Sequence, residues 1–144
     1  MTQTHPEPNL AEAEARAPED ASLYERLGGT YGIAGAVDIL VDRLFANIAV
    51  NANPKVHEHH GDPANAAGYK FLVAAWSIEA AGGPACYPGR DMTRAHAHLA
   101  IDAAGFDAVR TEIDATLGFL GVPDRERGEF MAIIDSYRTE VVQA

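Results

Sequence analysis

Apolar residues in this chain recur at three- and four-residue steps and nowhere at every second position, so its regular structure has to be helical. Ile33, Val37, Leu40, Val41, Leu44 and Ile48 form one stripe, with Asp38, Asp42 and Arg43 on the other face, which predicts a helix over about residues 33–47. Tyr69, Leu72, Val73, Trp76 and Ala80 predict another over about 69–81, stopped by Gly82-Gly83-Pro84. Phe106, Val109, Ile113, Leu117 and Leu120 mark a long helix behind an Asp102 cap and ahead of Gly121. Phe130, Ile133, Ile134, Tyr137 and Val141 mark one last helix, which Pro123 helps to start. Ser22-Leu23-Tyr24-Glu25 is a capping box that opens a short helix before Gly28-Gly29. After the turn Tyr87-Pro-Gly-Arg90 comes a further helical segment, about 91–100. The polar stretch NANPKVHEHHGDPANAAG, residues 51–68, reads as a long loop with at most a helical turn. The fold class is therefore all-α, without internal repeats.

The 144 residues suffice for one domain with a real core. Residues 1–21 read as a disordered acidic tail: Glu7, Glu12, Glu14, Glu19 and Asp20 face Arg16 alone, and Leu10 is the one large aliphatic residue. His5 within it reads as inert. The domain then runs over 22–144. Eleven Lys+Arg against 21 Asp+Glu give a net charge of -10, which repels polyanions and argues against nucleic acid or an anionic membrane as partner. The single cysteine, Cys86, excludes an internal disulfide and a thiolate cluster. No apolar run approaches the roughly 18 residues of a membrane span, so the expected setting is cytoplasmic.

Histidines are the remaining source of chemistry. His96 and His98 cannot serve one site from one helix, because two residues advance the helix by about 200°. Met92, His96 and Leu99 make an apolar stripe with an imidazole in its middle, while His98 falls with Arg94 on the side expected to face solvent. Pattern alone leaves His96 as either a core histidine or a ligand.

From Ser22 onward the chain resembles the truncated haemoglobins of the first group. The resemblance rests on Ser22-Leu-Tyr-Glu-Arg-Leu-Gly-Gly29 with Gly32-Ile33, on Gly82-Gly83-Pro84, on Tyr87-Pro-Gly-Arg-Asp-Met92, and on His96 followed by Leu99 and Ile101. It implies a two-on-two helical sandwich holding haem b (iron protoporphyrin IX), with His96 as the proximal iron ligand. Met92 and Leu99 would touch the porphyrin, Arg90 would meet a propionate or solvent, and Tyr87 would pack over the haem edge or close its turn. On the distal side the family's Phe-Tyr pair is replaced by Leu40-Val41, and Val73 stands at a customary glutamine position. Tyr69 is then the nearest donor and Trp76 fills the back of the pocket, unless both are plain core aromatics. His57, His59 and His60 read as solvated loop residues; the alternatives are a second metal site or a sixth iron ligand.

The function expected from this resemblance is reversible binding of oxygen or another diatomic gas, as in oxygen transport. A ligand-binding protein is favoured over an enzyme, with nitric oxide dioxygenase or peroxidase-like activity as the catalytic alternatives and a reductase as the partner these would require. A monomer or weak dimer is expected. The rival from another class is a haem-free globin shell used for protein interaction.

Overall fold

The computed structural model describes residues 20–144. The tail read over residues 1–21, His5 included, lies outside the described residues except for its last two. Helix α1 (Leu23–Arg26) is capped by the Ser22 hydroxyl, which accepts from the Glu25 amide at 3.1 Å. Helix α2 (Gly29–Ala46) follows at once, starting four residues before its apolar stripe. Helix α4 (Ala66–Ala80) also starts earlier than its stripe suggests. Helix α6 (Ala103–Phe119) begins where expected, the Asp102 carboxylate accepting from the Gly105 amide at 2.7 Å. Helix α7 spans Asp124–Ser136. The described residues contain no strand.

Helix α2 packs against both α4 and α6, and α6 packs against α7. The core sits where these four meet, with Val37, Val41, Ile78, Ile113, Leu117 and Phe130 all buried. Val50, Val56, Ile101 and Phe106 form a second buried cluster, joined to the first through Leu44, Val109 and Ile134. Gly82 adopts φ 95°, the left-handed conformation that ends α4. Gly83 is held close to Tyr24, so that a Cβ there would lie 2.5 Å from its ring. The Tyr24 amide donates to Ala81 O at 2.8 Å in the same corner, so the glycine pair lets α1 close onto the end of α4.

Three segments differ from the sequence reading. Residues 51–68 are mostly ordered turns: a 3₁₀ turn (Val50–Ala52), helix α3 (Pro54–His60) and another 3₁₀ turn (Pro63–Asn65). Pro54 stands in the first turn of α3, where no amide is needed, and Asn53 caps it by accepting from the Lys55 amide at 2.9 Å. Helix α5 is a single turn, Met92–His96, instead of reaching residue 100. It unwinds because Ala100 takes φ 51° and the Leu99 carbonyl accepts from Asn53 Nδ2 at 2.8 Å. The last helix breaks at Tyr137 before a short α8 (Arg138–Val141). There the Ser136 hydroxyl donates to Ile133 O at 2.6 Å, and the Tyr137 amide turns to Ile134 O.

Asn53 thus caps α3 and ties it to the chain beyond α5. Asn53→Ala is expected to lower the unfolding free energy by about 1–2 kcal/mol, from the lost cap and the unpaired carbonyl. Denaturant titration checks this, and a change within a few tenths would show that both bonds are replaced by water. No helix among the described residues is long and apolar enough to cross a membrane.

Candidate functional site

Between α3 and α4 on one side and α5, α6 and the α7–α8 corner on the other lies a cavity of about 840 Å³. Its size is that of a site for a large small-molecule ligand, and its walls are largely aliphatic and aromatic. Leu44, Val56, Phe106, Val109, Ile113 and Ile134 supply much of the apolar surface. Three imidazoles besides His96 also reach this cavity: His59, His60 and His98.

His96 is half-buried at the end of α5, on the cavity wall. Its Nδ1 lies 2.8 Å from the carbonyl oxygen of Met92, one turn back. A carbonyl can only accept, so Nδ1 donates and the neutral ring keeps a bare lone pair on Nε2. That arrangement fixes ring orientation and suits a metal ligand. Met92 and Leu99 line the cavity on either side of it. Tyr87 closes its turn by donating its hydroxyl to Arg90 O at 2.6 Å, and its ring also lines the cavity. Burial pushes the Tyr87 phenol above its ordinary range. Arg90 is exposed at the rim, where its guanidinium can meet an anionic edge of a ligand.

His98 does not point away from the cavity as expected. It is exposed but sits at the mouth, its ring edge-on to His59 with centroids 5.5 Å apart. The early unwinding of α5 after His96 removes the helical twist that would have turned it away.

On the other wall stand Tyr69, Val73 and Trp76 of α4. Trp76 packs edge-on to Tyr137 at 5.5 Å and to Phe130 at 6.5 Å, so it joins the cavity to the core. Val73 offers no polar atom. Tyr69 is half-buried, and burial raises its phenol above the usual value. Among the described residues its hydroxyl has no hydrogen-bond partner. Val41 is placed elsewhere: at 2% exposure it faces the core, while Leu40 and Leu44 take the cavity side of α2. A step of one residue turns the helix by about 100°, which is enough to exchange the two faces.

Sequence reasoning missed the organisation around His60. Its ring stacks on Phe45 (4.4 Å between centroids, 17° between planes) and its Nδ1 lies 2.8 Å from Asn51 Oδ1. Tyr69 meets both rings edge-on, at 5.6 Å from Phe45 and 5.8 Å from His60. Burial, followed by the neighbouring His59 and His57, lowers the His60 pKa and favours its neutral form. The signal was there in Asn53-Pro54, an N-cap and a first-turn proline, with Val56 and His60 one turn apart. His57, by contrast, is exposed.

Among the described residues no three His, Cys, Asp or Glu side chains gather into a metal site. A metal held in this cavity by His96 must therefore bring most of its ligands with it, as an iron in a planar macrocycle does. The apolar walls and the free imidazole nitrogen fit that kind of group.

Comparison with known proteins bears on the family and the fold. The profile of the Bacterial-like globin family matches residues 22–143. A Group 1 truncated hemoglobin of Synechocystis sp. is 32% identical over 117 residues, 78% of this chain and 89% of its own. The crystal structure of the truncated hemoglobin from Tetrahymena pyriformis in the Fe(III) form superposes with a TM-score of 0.71 at 26% identity, covering 86% of this chain and all of that one. The 2/2 hemoglobin from Synechococcus sp., in the cyanomet state and with covalently attached heme, gives 0.71 at 28% identity over 85% of this chain and 98% of its own.

Proposed function

Because the chain belongs to the Bacterial-like globin family and is a haem-binding truncated haemoglobin, we propose that it holds haem b through His96 and reversibly binds oxygen or another diatomic gas. The observation that carries this reading is the His96 ring, tied to Met92 O through Nδ1 with Nε2 left free in an apolar cavity of about 840 Å³. Haem, when bound, would supply an iron able to take a small gaseous ligand. Met92 and Leu99, which line the cavity beside His96, would hold the macrocycle, and Val73 and Trp76 would keep water from it. Arg90 at the rim would meet a propionate. The cavity speaks against the haem-free interaction module, since a shell without cofactor has no use for such a void. Oxidation of nitric oxide would in addition need a reductase to renew the iron. Mixing the oxygenated protein with nitric oxide, with and without a reductant, separates a carrier from such an enzyme.

Tyr69 is the donor this reading assigns to the bound gas. Its unpartnered phenol lines the cavity, and burial keeps it protonated. The Tyr69 hydroxyl could donate to a polar gas such as oxygen, and would favour it over carbon monoxide, which accepts a hydrogen bond poorly. One neutral hydrogen bond contributes roughly 0.5–1.5 kcal/mol, or about two- to tenfold in affinity. Tyr69→Phe is expected to speed oxygen release by about that factor while changing carbon monoxide release much less. Stopped-flow release rates check it. Equal oxygen release rates would make Tyr69 a packing residue and the pocket apolar.

A further inference from the structure

Helix α5 is too short to stand on its own. It has five residues, none of them buried, and an isolated helix in water is marginal below roughly 12–15 residues. Its shape, and with it the place of the His96 ring, therefore depends on bonds to other parts of the chain. Asn53 supplies one, donating from Nδ2 to Leu99 O just beyond His96. Residues 143 and 144 supply the others. Gln143 Nε2 lies 3.0 Å from Thr93 O, inside α5, and 2.9 Å from Glu140 O. Two carbonyls at one atom identify it as the amide nitrogen, whose hydrogens serve one each. The Gln143 main-chain amide donates to Ile101 O at 3.0 Å, and the Ala144 amide shares that acceptor at 3.2 Å.

We propose that Gln143 is a positioning residue for His96, holding α5 and the chain beyond it so that the imidazole keeps one place on the cavity wall. The inference rests on the haem reading above. Thr93 directly follows Met92, the residue whose carbonyl orients the His96 ring, and Ile101 lies on the other side of that ring in the chain. One residue thus grips the segment before and after the imidazole, with its side chain and with its backbone. The grip is itself anchored. Glu140 belongs to α8, which packs against α5, and Val141 of the same helix lines the cavity. The break at Tyr137 serves this arrangement, because it is what makes α8 a separate helix. A ring held in place before the metal arrives needs no further ordering when it binds, so the grip strengthens ligation by preorganisation.

The test uses the full chain loaded with haem and takes two readouts. One is the rate of haem loss to a scavenging apoprotein. The other is the electron paramagnetic resonance spectrum of the reduced protein under nitric oxide, whose hyperfine lines report whether an imidazole nitrogen stays on the iron. Gln143→Met keeps the length of the side chain and removes the donor. Its haem should leave about two- to tenfold faster, and the share of iron without imidazole should rise by a similar factor, as for one neutral hydrogen bond. Gln143→Lys supplies a donor group again and should return both readouts to the wild-type values. Arg127→Ala breaks an ion pair with Asp114, neither of which lines the cavity, and should leave the hyperfine pattern unchanged even where stability falls. Wild-type readouts in Gln143→Met, equal changes in Gln143→Met and Gln143→Lys, or the same hyperfine change in Arg127→Ala each overturn the proposal and leave the haem reading intact. Failure of the wild type to take up haem would overturn both.

Discussion

His96→Ala should release haem to an excess of a scavenging apoprotein far faster than the wild type does, while His98→Ala should hold it as the wild type does. Both imidazoles reach the same cavity, so proximity does not separate them. Their hydrogen bonding does. The His96 ring is oriented by Met92 O, one turn back on its own helix, and is half-buried. His98 is exposed and has only the His59 ring beside it. Removing an outer partner of a metal-bound histidine costs about 10–100-fold in metal affinity, and removing the ligand itself should cost at least as much. Whatever haem the His96 variant keeps should also show changed visible bands, because the imidazole nitrogen is gone. Equal haem retention and matching spectra in the two variants would show that His96 is not the ligand.

The long helices were legible because each carries a stripe spanning several turns. The stripes of α2, α4 and α6 fixed which residues face inward to within one or two positions, and their caps fixed most of their ends. Short elements escape that signal. Helix α3 is seven residues long and turns Val56, His59 and His60 toward the cavity, too short a run to define a period. The ends of α5 and α7 were missed for a related reason. They are set by tertiary bonds, Asn53 to Leu99 O in one case, and by a local side-chain bond, Ser136 to Ile133 O, in the other. At the site, the apolar stripe of Met92, His96 and Leu99 singled out one histidine, and the resemblance gave it a role. The setting of the His60 ring depends on Asn51, nine residues earlier, and on three carbonyls that fix the amide of Asn51. None of this has a sequence period. Val41 shows the finer limit, since it belongs to the same stripe as Leu40 and still faces a different part of the interior.

The largest loss of stability is expected from Arg26→Met. Arg26 lies on α1 at 5% exposure and is surrounded by acceptors. Its Nη1 donates to Glu126 Oε1 at 2.6 Å, its Nη2 to Glu129 Oε1 at 3.0 Å, and its Nε to Ala21 O at 3.0 Å. These bonds hold the guanidinium pKa above its ordinary value. Glu126 is fully buried, and its Oε2 has no hydrogen-bond partner among the described residues. Without Arg26 both carboxylate oxygens would lie in the interior with no cation beside them. Breaking a buried ion pair in this way costs about 3–5 kcal/mol. The partner on α7 is what makes the loss large, since an exposed arginine pair is worth at most about 1 kcal/mol. Replacing both ends, as Arg26→Met/Glu126→Leu, removes the stranded charge and should recover most of the loss, because well-packed apolar groups serve as well as a buried pair. Glu129 is a smaller, pH-dependent part of the same junction. Arg26 holds its carboxyl below the ordinary value of 4.5, so its contribution is complete above that value and fades as pH falls through the lowered one. Denaturant titrations of the single and double variants at neutral pH decide the matter. A single variant within about 1 kcal/mol of wild type would mean that water reaches Glu126 and takes the place of the guanidinium.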